Sequence, residues 1–264
     1  MSFKEFKIED RVYLKSEAFL QTELVNHGFT TRLGGVSHGK IEGLNLGFRV
    51  GDDAESVMKN YELVAKDLNV DMRRMVLSKQ THTDNIRLVT DSDAGKGVVR
   101  VSDIEDTDGL ITNIPGISLV IFSADCVPLL FLDPVKKVVA ASHAGWRGTV
   151  MGIGKKTIRC MAEEYGCEPK NILVAIGPSI GKCCFEVDGD TAKNFDDKYK
   201  IPKENGKFHI DLWSVNFDQI KQAGVKCENI RVSEECTICK ADRYYSYRTQ
   251  KEHTGRQGAI ISLR

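Results

Sequence analysis

Apolar and polar positions follow two periods along this chain. Over residues 53–70, DAESVMKNYELVAKDLNV sets Val57, Tyr61, Val64, Ala65 and Leu68 on one face behind an acidic first turn, which predicts an amphipathic helix. Short β-rich runs follow: MVLSKQTH ending at His82, NIRLV at Val89, GLIT at Thr112, ISLVIFSAD at Asp125, VPLLFLD at Asp133 and KVVAASHAG at Gly145. Several are apolar at consecutive positions, as in central strands covered on both faces. A helical period returns over 146–165, and NILVAIGPSIG reads as a strand running into a Gly-Pro turn. A third helix is predicted over 211–223, and RYYSYRTQKEHTGRQGAIISLR closes the chain as strand, basic loop and strand. The stretch 27–53 is rich in Gly and turn residues, which predicts irregular backbone of the kind that carries function. Together these elements predict an α/β (α+β) fold with a mixed β-sheet sandwiched by helices.

With 264 residues, 41% of them hydrophobic, the chain can bury a sizeable core. No repeat, low-complexity tract or linker divides it, so one catalytic domain over 1–264 is expected. The 37 basic residues balance 37 acidic ones, which argues against nucleic acid, membrane or polyacidic partners. The first ten residues lack the apolar core of a signal peptide, and the apolar stretch 117–132 is broken by Asp125 and Pro128. A cytoplasmic monomer or small homo-oligomer is therefore expected. In that reducing compartment the eight cysteines read as free thiols or metal ligands rather than staples.

His82 and His143 end strand-like runs, and Cys126 interrupts an apolar one. All three could therefore share one rim of a sheet. Two imidazoles and a thiolate match a catalytic zinc, which takes three protein ligands and keeps its fourth position open. Taken singly, a histidine at a strand end is ordinarily a hydrogen-bonded residue and an apolar-flanked cysteine ordinarily inert packing. Two contexts raise the functional reading: Asp125 puts a carboxylate inside the apolar run SADCVPLL, and His143 sits in SHAGWRG. A buried carboxylate needs a partner, such as a metal or an arginine.

At these residues the chain resembles the YfiH/YlmD-like proteins. The matching motifs are QTH (80–82), DGLIT (108–112), ADCVPLLFLDP (124–134), SHAGWRG (142–148) and IGPSIGKCCFEV (176–187). HGFTTRLGGVS, GLNLGFRVGDD and the closing YYSYRTQKEHTGRQGAII match too, so the resemblance spans nearly the whole chain in order. It departs from the family at Thr83, where a QVHG-like motif commonly has glycine. The family was long labelled laccase-domain or multicopper polyphenol oxidase. It is now described as purine nucleoside phosphorylases that also act on adenosine and methylthioadenosine. The resemblance implies one α/β domain, zinc on His82, Cys126 and His143, and a purine nucleoside and phosphate as partners.

Four chemistries compete for these residues. A laccase needs a trinuclear cluster rich in paired histidines, whereas this chain has 6 His and no HxH pair; copper is disfavoured against zinc. Deamination of adenosine has a direct zinc mechanism, in which water is activated toward the purine C6 and Asp125 or a free histidine shuttles protons. Phosphorolysis needs an anion pocket instead, and Arg32, Arg49, Arg147, Arg248 and Arg256 sit in or beside the Gly-rich motifs. Arg49, Arg248 and Arg32 are assigned to substrate and phosphate, and Arg147 to structural support; the plainer reading of each is a solvated arginine. A Cys/His hydrolase would use Cys126 as nucleophile and His143 as base. A purely structural zinc is disfavoured, because such sites are usually closed by four protein ligands.

The CxxC at Cys236 and Cys239 could bind zinc or act as a redox pair, but without a second pair it reads as plain structural thiols. Adjacent Cys183 and Cys184 read as packing, with Cys184 a candidate pocket residue. His27 and His38 flank the first Gly-rich loop and could reach a ligand, but read as exposed loop histidines, and Phe185 as a buried aromatic that could stack on a purine. Gly34, Gly35, Gly177 and Gly181 read as backbone necessities of tight turns.

Overall fold

The computed structural model describes residues 3–264. In chain order its strands are β1 (Phe3–Ile8), β2 (Arg11–Ser16), β3 (Val25–Thr30), β4 (Met75–Leu77), β5 (Ile86–Leu88), β6 (Gly109–Thr112), β7 (Ser118–Ser123) and β8 (Val127–Asp133). They continue with β9 (Val138–Ala144), β10 (Leu173–Ile176), β11 (Glu186–Val187), β12 (Lys200–Pro202), β13 (Phe208–Ile210), β14 (Ile230–Val232) and β15 (Gln257–Leu263). The mixed α/β class is as expected, but the single sheet resolves into two six-stranded mixed sheets, ordered β1-β2-β3-β15-β7-β4 and β14-β10-β8-β9-β6-β5, beside a small sheet of β11, β13 and β12.

Side-chain alternation explains why two sheets form. Leu119 and Ile121 of β7, with Ala259 and Ile261 of β15, share one buried cluster with Leu130 and Leu132 of β8 and Val139 and Ala141 of β9. The intervening Val120 and Ile260 turn the other way, into a cluster with Tyr61, Val64 and Leu68 of the helix Ala54–Leu68. In the second sheet, Leu129, Phe131 and Ala140 pack on the helices Ile153–Tyr165 and Leu212–Gln222 through Ile158, Met161 and Ile220. The layers therefore run helix, sheet, sheet, helix, which is why both faces of these strands are apolar.

The long helix runs as the periodicity predicts, with the Asp53 carboxylate accepting the Ser56 N–H at its start. The helical stretch 146–165 splits into Trp146–Met151 and Ile153–Tyr165 around Gly152. Two expectations are corrected. The stretch 27–53 is not irregular throughout, because His27 to Thr30 complete β3. The closing segment has no first strand: Tyr244 and Tyr245 are buried beside a turn in which the Lys240 carbonyl accepts the N–H of both Arg243 and Tyr244, and Tyr247–Gln250 is a short helix. Burial of two tyrosines mimicked a strand.

Candidate active site

The chain crosses from the first sheet to the second twice, after β4 and after β7, and each crossing delivers one residue of the site. His82 lies on the first crossing and Cys126 on the second, and β9 presents His143 from the second sheet. Their donor atoms all lie within 4.8 Å of one another, with His82 exposed, Cys126 half-buried and His143 buried. The His82 Nε2 stands 3.8 Å from Cys126 Sγ, and the two rings meet edge-on with centroids 5.0 Å apart.

Asp108, just before β6, sets both imidazoles. One carboxylate oxygen accepts the His143 Nδ1–H at 2.6 Å, which leaves Nε2 of that ring as the free donor. The same carboxylate accepts the backbone N–H of Thr81 at 2.9 Å, His82 at 3.1 Å and Thr83 at 3.0 Å. These bonds stabilise a turn in which His82 takes a left-handed φ of 65°, a conformation that non-glycine residues rarely adopt. Thr83, where the family commonly has glycine, is thus one of the three amides around Asp108. Gln80 ties the turn to β7, its side-chain amide pairing with the N–H and carbonyl of Phe122 at 2.8 and 2.9 Å.

The electrostatics follow from this packing. Burial alone would raise the Cys126 thiol, but the His143 charge and contacts from both imidazoles outweigh it and bring it down to about 6. Burial opposes the His143 charge, yet Cys126 and Asp108 hold that ring up to about 9. Burial likewise works against the Asp108 charge and is outweighed by His143 and the backbone amides, so its carboxyl is lowered.

The donor set fits a tetrahedral ion. Bonds of about 2.0–2.3 Å to nitrogen and sulfur put neighbouring donors about 3.6 Å apart, close to the observed His82–Cys126 spacing. Space is reserved here: a Cβ on Gly145 would lie 2.7 Å from His82 Cδ2 and 3.2 Å from Cys126 Sγ. The Asp108–His143 bond is the carboxylate partner that metal-ligating histidines ordinarily have.

These donors open into a cavity of about 850 Å³. Arg49 and Arg147 are exposed on its wall, and Arg147 also lies 4.3 Å over the Trp146 ring. Arg248 is there too, bonded to the Glu186 carbonyl at 2.9 Å and stacked 5.6 Å from the Phe185 ring. Arg256 lines the wall with its guanidinium on the Thr254 and Gly255 carbonyls. Arg100, which sequence reasoning passed over, joins them. Arg32 is not brought to the cavity: it bonds the Ala241 and Glu42 carbonyls and stacks on Tyr245.

Asp125 borders the cavity in a left-handed conformation of φ 89°. Its carboxylate accepts Thr237 Oγ1–H at 2.6 Å, Ser246 Oγ–H at 3.0 Å and the Arg248 N–H at 2.7 Å. Both oxygens thus hold the C-terminal segment. Phe185 is buried in the cavity wall, whereas Cys184 and His38 lie outside it. His27 is buried on β3 and accepts the Ser16 N–H, not an exposed loop residue. Asp108 was within a recognised motif, but its role joins residues whose proximity only the fold creates.

The family described as multi-copper polyphenol oxidoreductase laccase matches residues 26–264. Purine nucleoside phosphorylase YlmD of Bacillus subtilis is 36% identical over 90% of this chain and 88% of its own length. Adenosine deaminase RL5, from an unknown prokaryotic organism, is 33% identical over 86% of this chain and 90% of its own. The crystal structure of the Bacillus licheniformis hypothetical protein YfiH superposes with a TM-score of 0.92 at 34% identity, covering 99% of both chains. With a family match over nearly its whole length and a fold shared across the chain, the chain belongs to the laccase-like YfiH/YlmD family.

Proposed function

We propose that this chain is a zinc-dependent purine nucleoside enzyme. It would cleave adenosine, inosine, guanosine and methylthioadenosine with phosphate, giving base and ribose 1-phosphate or its methylthio analogue, and would deaminate adenosine to inosine. The observation that carries the reading is the convergence of His82, Cys126 and His143 on the arginine-rich cavity. The names of the relatives from Bacillus subtilis and of RL5 supply the substrate class.

Zinc held by these three residues would supply Lewis acidity to water or to the substrate. The chain's own residues do the rest. Asp108 fixes the orientation of His143 and the His82 turn. Arg49, exposed and without a polar partner among the described residues, is suited to bind phosphate, with Arg147 or Arg248 beside it on the wall. Phe185 and Trp146 offer apolar faces for the purine. Asp125 acts here by positioning Arg248 through its backbone N–H, while Arg32 is left out of the substrate contacts.

A laccase reading has less support, because the two potential metal groups among the described residues contain no paired histidines beyond His82 and His143. The Cys/His hydrolase reading keeps one observation in its favour, the lowered Cys126 thiol beside His143 and Asp108. Zinc decides between them, since a zinc-bound thiolate is poorly free to attack. The test is a panel of nucleosides incubated with zinc-loaded protein, with and without phosphate, and every product identified by chromatography. Phosphate-dependent release of adenine is expected. Inosine alone would leave deamination and remove phosphorolysis, and ester or amide cleavage surviving complete zinc removal would favour the hydrolase.

A further inference from the structure

A second cluster lies outside the active-site donors. Cys183 and Cys184 follow the turn after β10, and Cys236 and Cys239 form a CxxC about fifty residues later. The fold brings all four sulfurs within 4.8 Å of one another. Cys239 Sγ lies 3.5 Å from Cys183 Sγ and 3.6 Å from Cys184 Sγ. A disulfide needs about 2.05 Å, and all eight cysteines are free. Four sulfurs at about 2.3 Å from a tetrahedral zinc stand about 3.8 Å apart, which is near the observed spacing.

A second observation points to thiolate ligation. The Gly181 N–H donates to Cys236 Sγ at 3.3 Å. A backbone donor aimed at the first sulfur of a CxxC turn favours a thiolate there. Close approach at Gly181 is required as well, because a Cβ would meet Cys183 Sγ at 3.2 Å and Trp213 Cη2 at 2.9 Å. Cys183 and Cys239 are exposed, so an ion can enter.

We propose that Cys183, Cys184, Cys236 and Cys239 form a closed four-thiolate zinc site that pins the loop 177–185 to the segment 236–248. On binding, each thiol gives its proton to solvent and its sulfur to the ion, and no redox change occurs. Four protein ligands leave no open position, so this site is structural rather than catalytic. Its reach into the cavity is direct. Phe185 follows Cys184 into the wall, and Thr237, inside the CxxC, donates to Asp125.

The test uses the full chain carrying Cys126→Ala, so that the first site lacks its thiolate and the two sites are read separately. The protein is stripped of metal under reducing conditions and titrated with Co2+ and then Zn2+. One tightly bound equivalent is expected, with intense sulfur-to-cobalt charge-transfer absorption and a shell of four sulfurs by X-ray absorption. Adding Cys236→Ser and Cys239→Ser should abolish both signals while far-ultraviolet circular dichroism stays unchanged. Should that variant fail to fold, the four-sulfur shell of the parent decides alone. No bound metal, any shell other than four sulfurs, or a disulfide within the cluster that persists in reduced glutathione would overturn the proposal.

Discussion

At the scale of single residues, the site depends on a carboxylate that never faces the cavity donors as a ligand. Asp108 bonds His143 and three successive amides around His82. Asp108→Asn keeps the shape but weakens these charge-assisted bonds and offers His143 an N–H where it needs an acceptor. Loss of such a partner ordinarily costs about 10- to 100-fold in metal affinity, and competition titration with a chelator should read a fall of that size. Gly145→Ala adds a methyl 2.7 Å from His82 Cδ2. Zinc content and nucleoside turnover should both drop at least tenfold while circular dichroism is preserved; full zinc occupancy would show that the His82 ring moves freely. The sequence nominated His82, Cys126 and His143, which the fold brings together, although pattern alone favoured ordinary packing and only the surrounding motifs raised them. Asp108 was not legible, since its bond to His143 joins two strands of one sheet. The four-cysteine cluster was hidden for the same reason, and adjacency of Cys183 and Cys184 argued for mere packing.

At the scale of elements, apolar runs bounded by turn residues carried the most information. GLIT and VPLLFLD occupy β6 and β8 residue for residue. The run MVLSKQTH overshot, because only Met75–Leu77 pair as strand and Gln80 imitates strand pairing with its side chain. The helix Ala54–Leu68 was legible from its period and from Asp53, which caps it through the Ser56 N–H at 2.9 Å. Asp53→Ala removes the acceptor of the Ser56 N–H and should lower the midpoint of urea unfolding, with nucleoside turnover unaffected. A variant as stable as the parent would assign the helix start to packing alone.

At the scale of the whole molecule, runs apolar on both faces predicted covered strands but could not tell a helix from a second sheet as the cover. Alternation of Leu119, Val120 and Ile121 between two clusters supplies the answer. The same burial places a titratable group in the interior. His27 accepts the Ser16 N–H through Nε2 at 2.9 Å, and its Nδ1 is buried with no partner among the described residues. Burial, reinforced by the Lys15 charge, depresses it to about 3. The unfolded chain takes up its proton near the ordinary value of about 6.5, so stability is full above that pH. It is lost as pH falls toward 3, by about 1.4 kcal/mol per pH unit from this group. His27→Gln should flatten that slope in denaturant titrations between pH 6 and 4; an unchanged slope would assign the acid sensitivity elsewhere.

The central claim joins these scales, because two sheet crossings and one strand bring His82, Cys126 and His143 to an arginine-walled cavity. The most direct measurement is adenosine turnover with phosphate by zinc-loaded protein against His82→Ala, with adenine and inosine quantified separately. The account predicts purine products from the parent chain and a loss of at least a hundredfold in the variant, together with its zinc. Equal turnover in both proteins, or no purine product from the zinc-loaded parent, would contradict it.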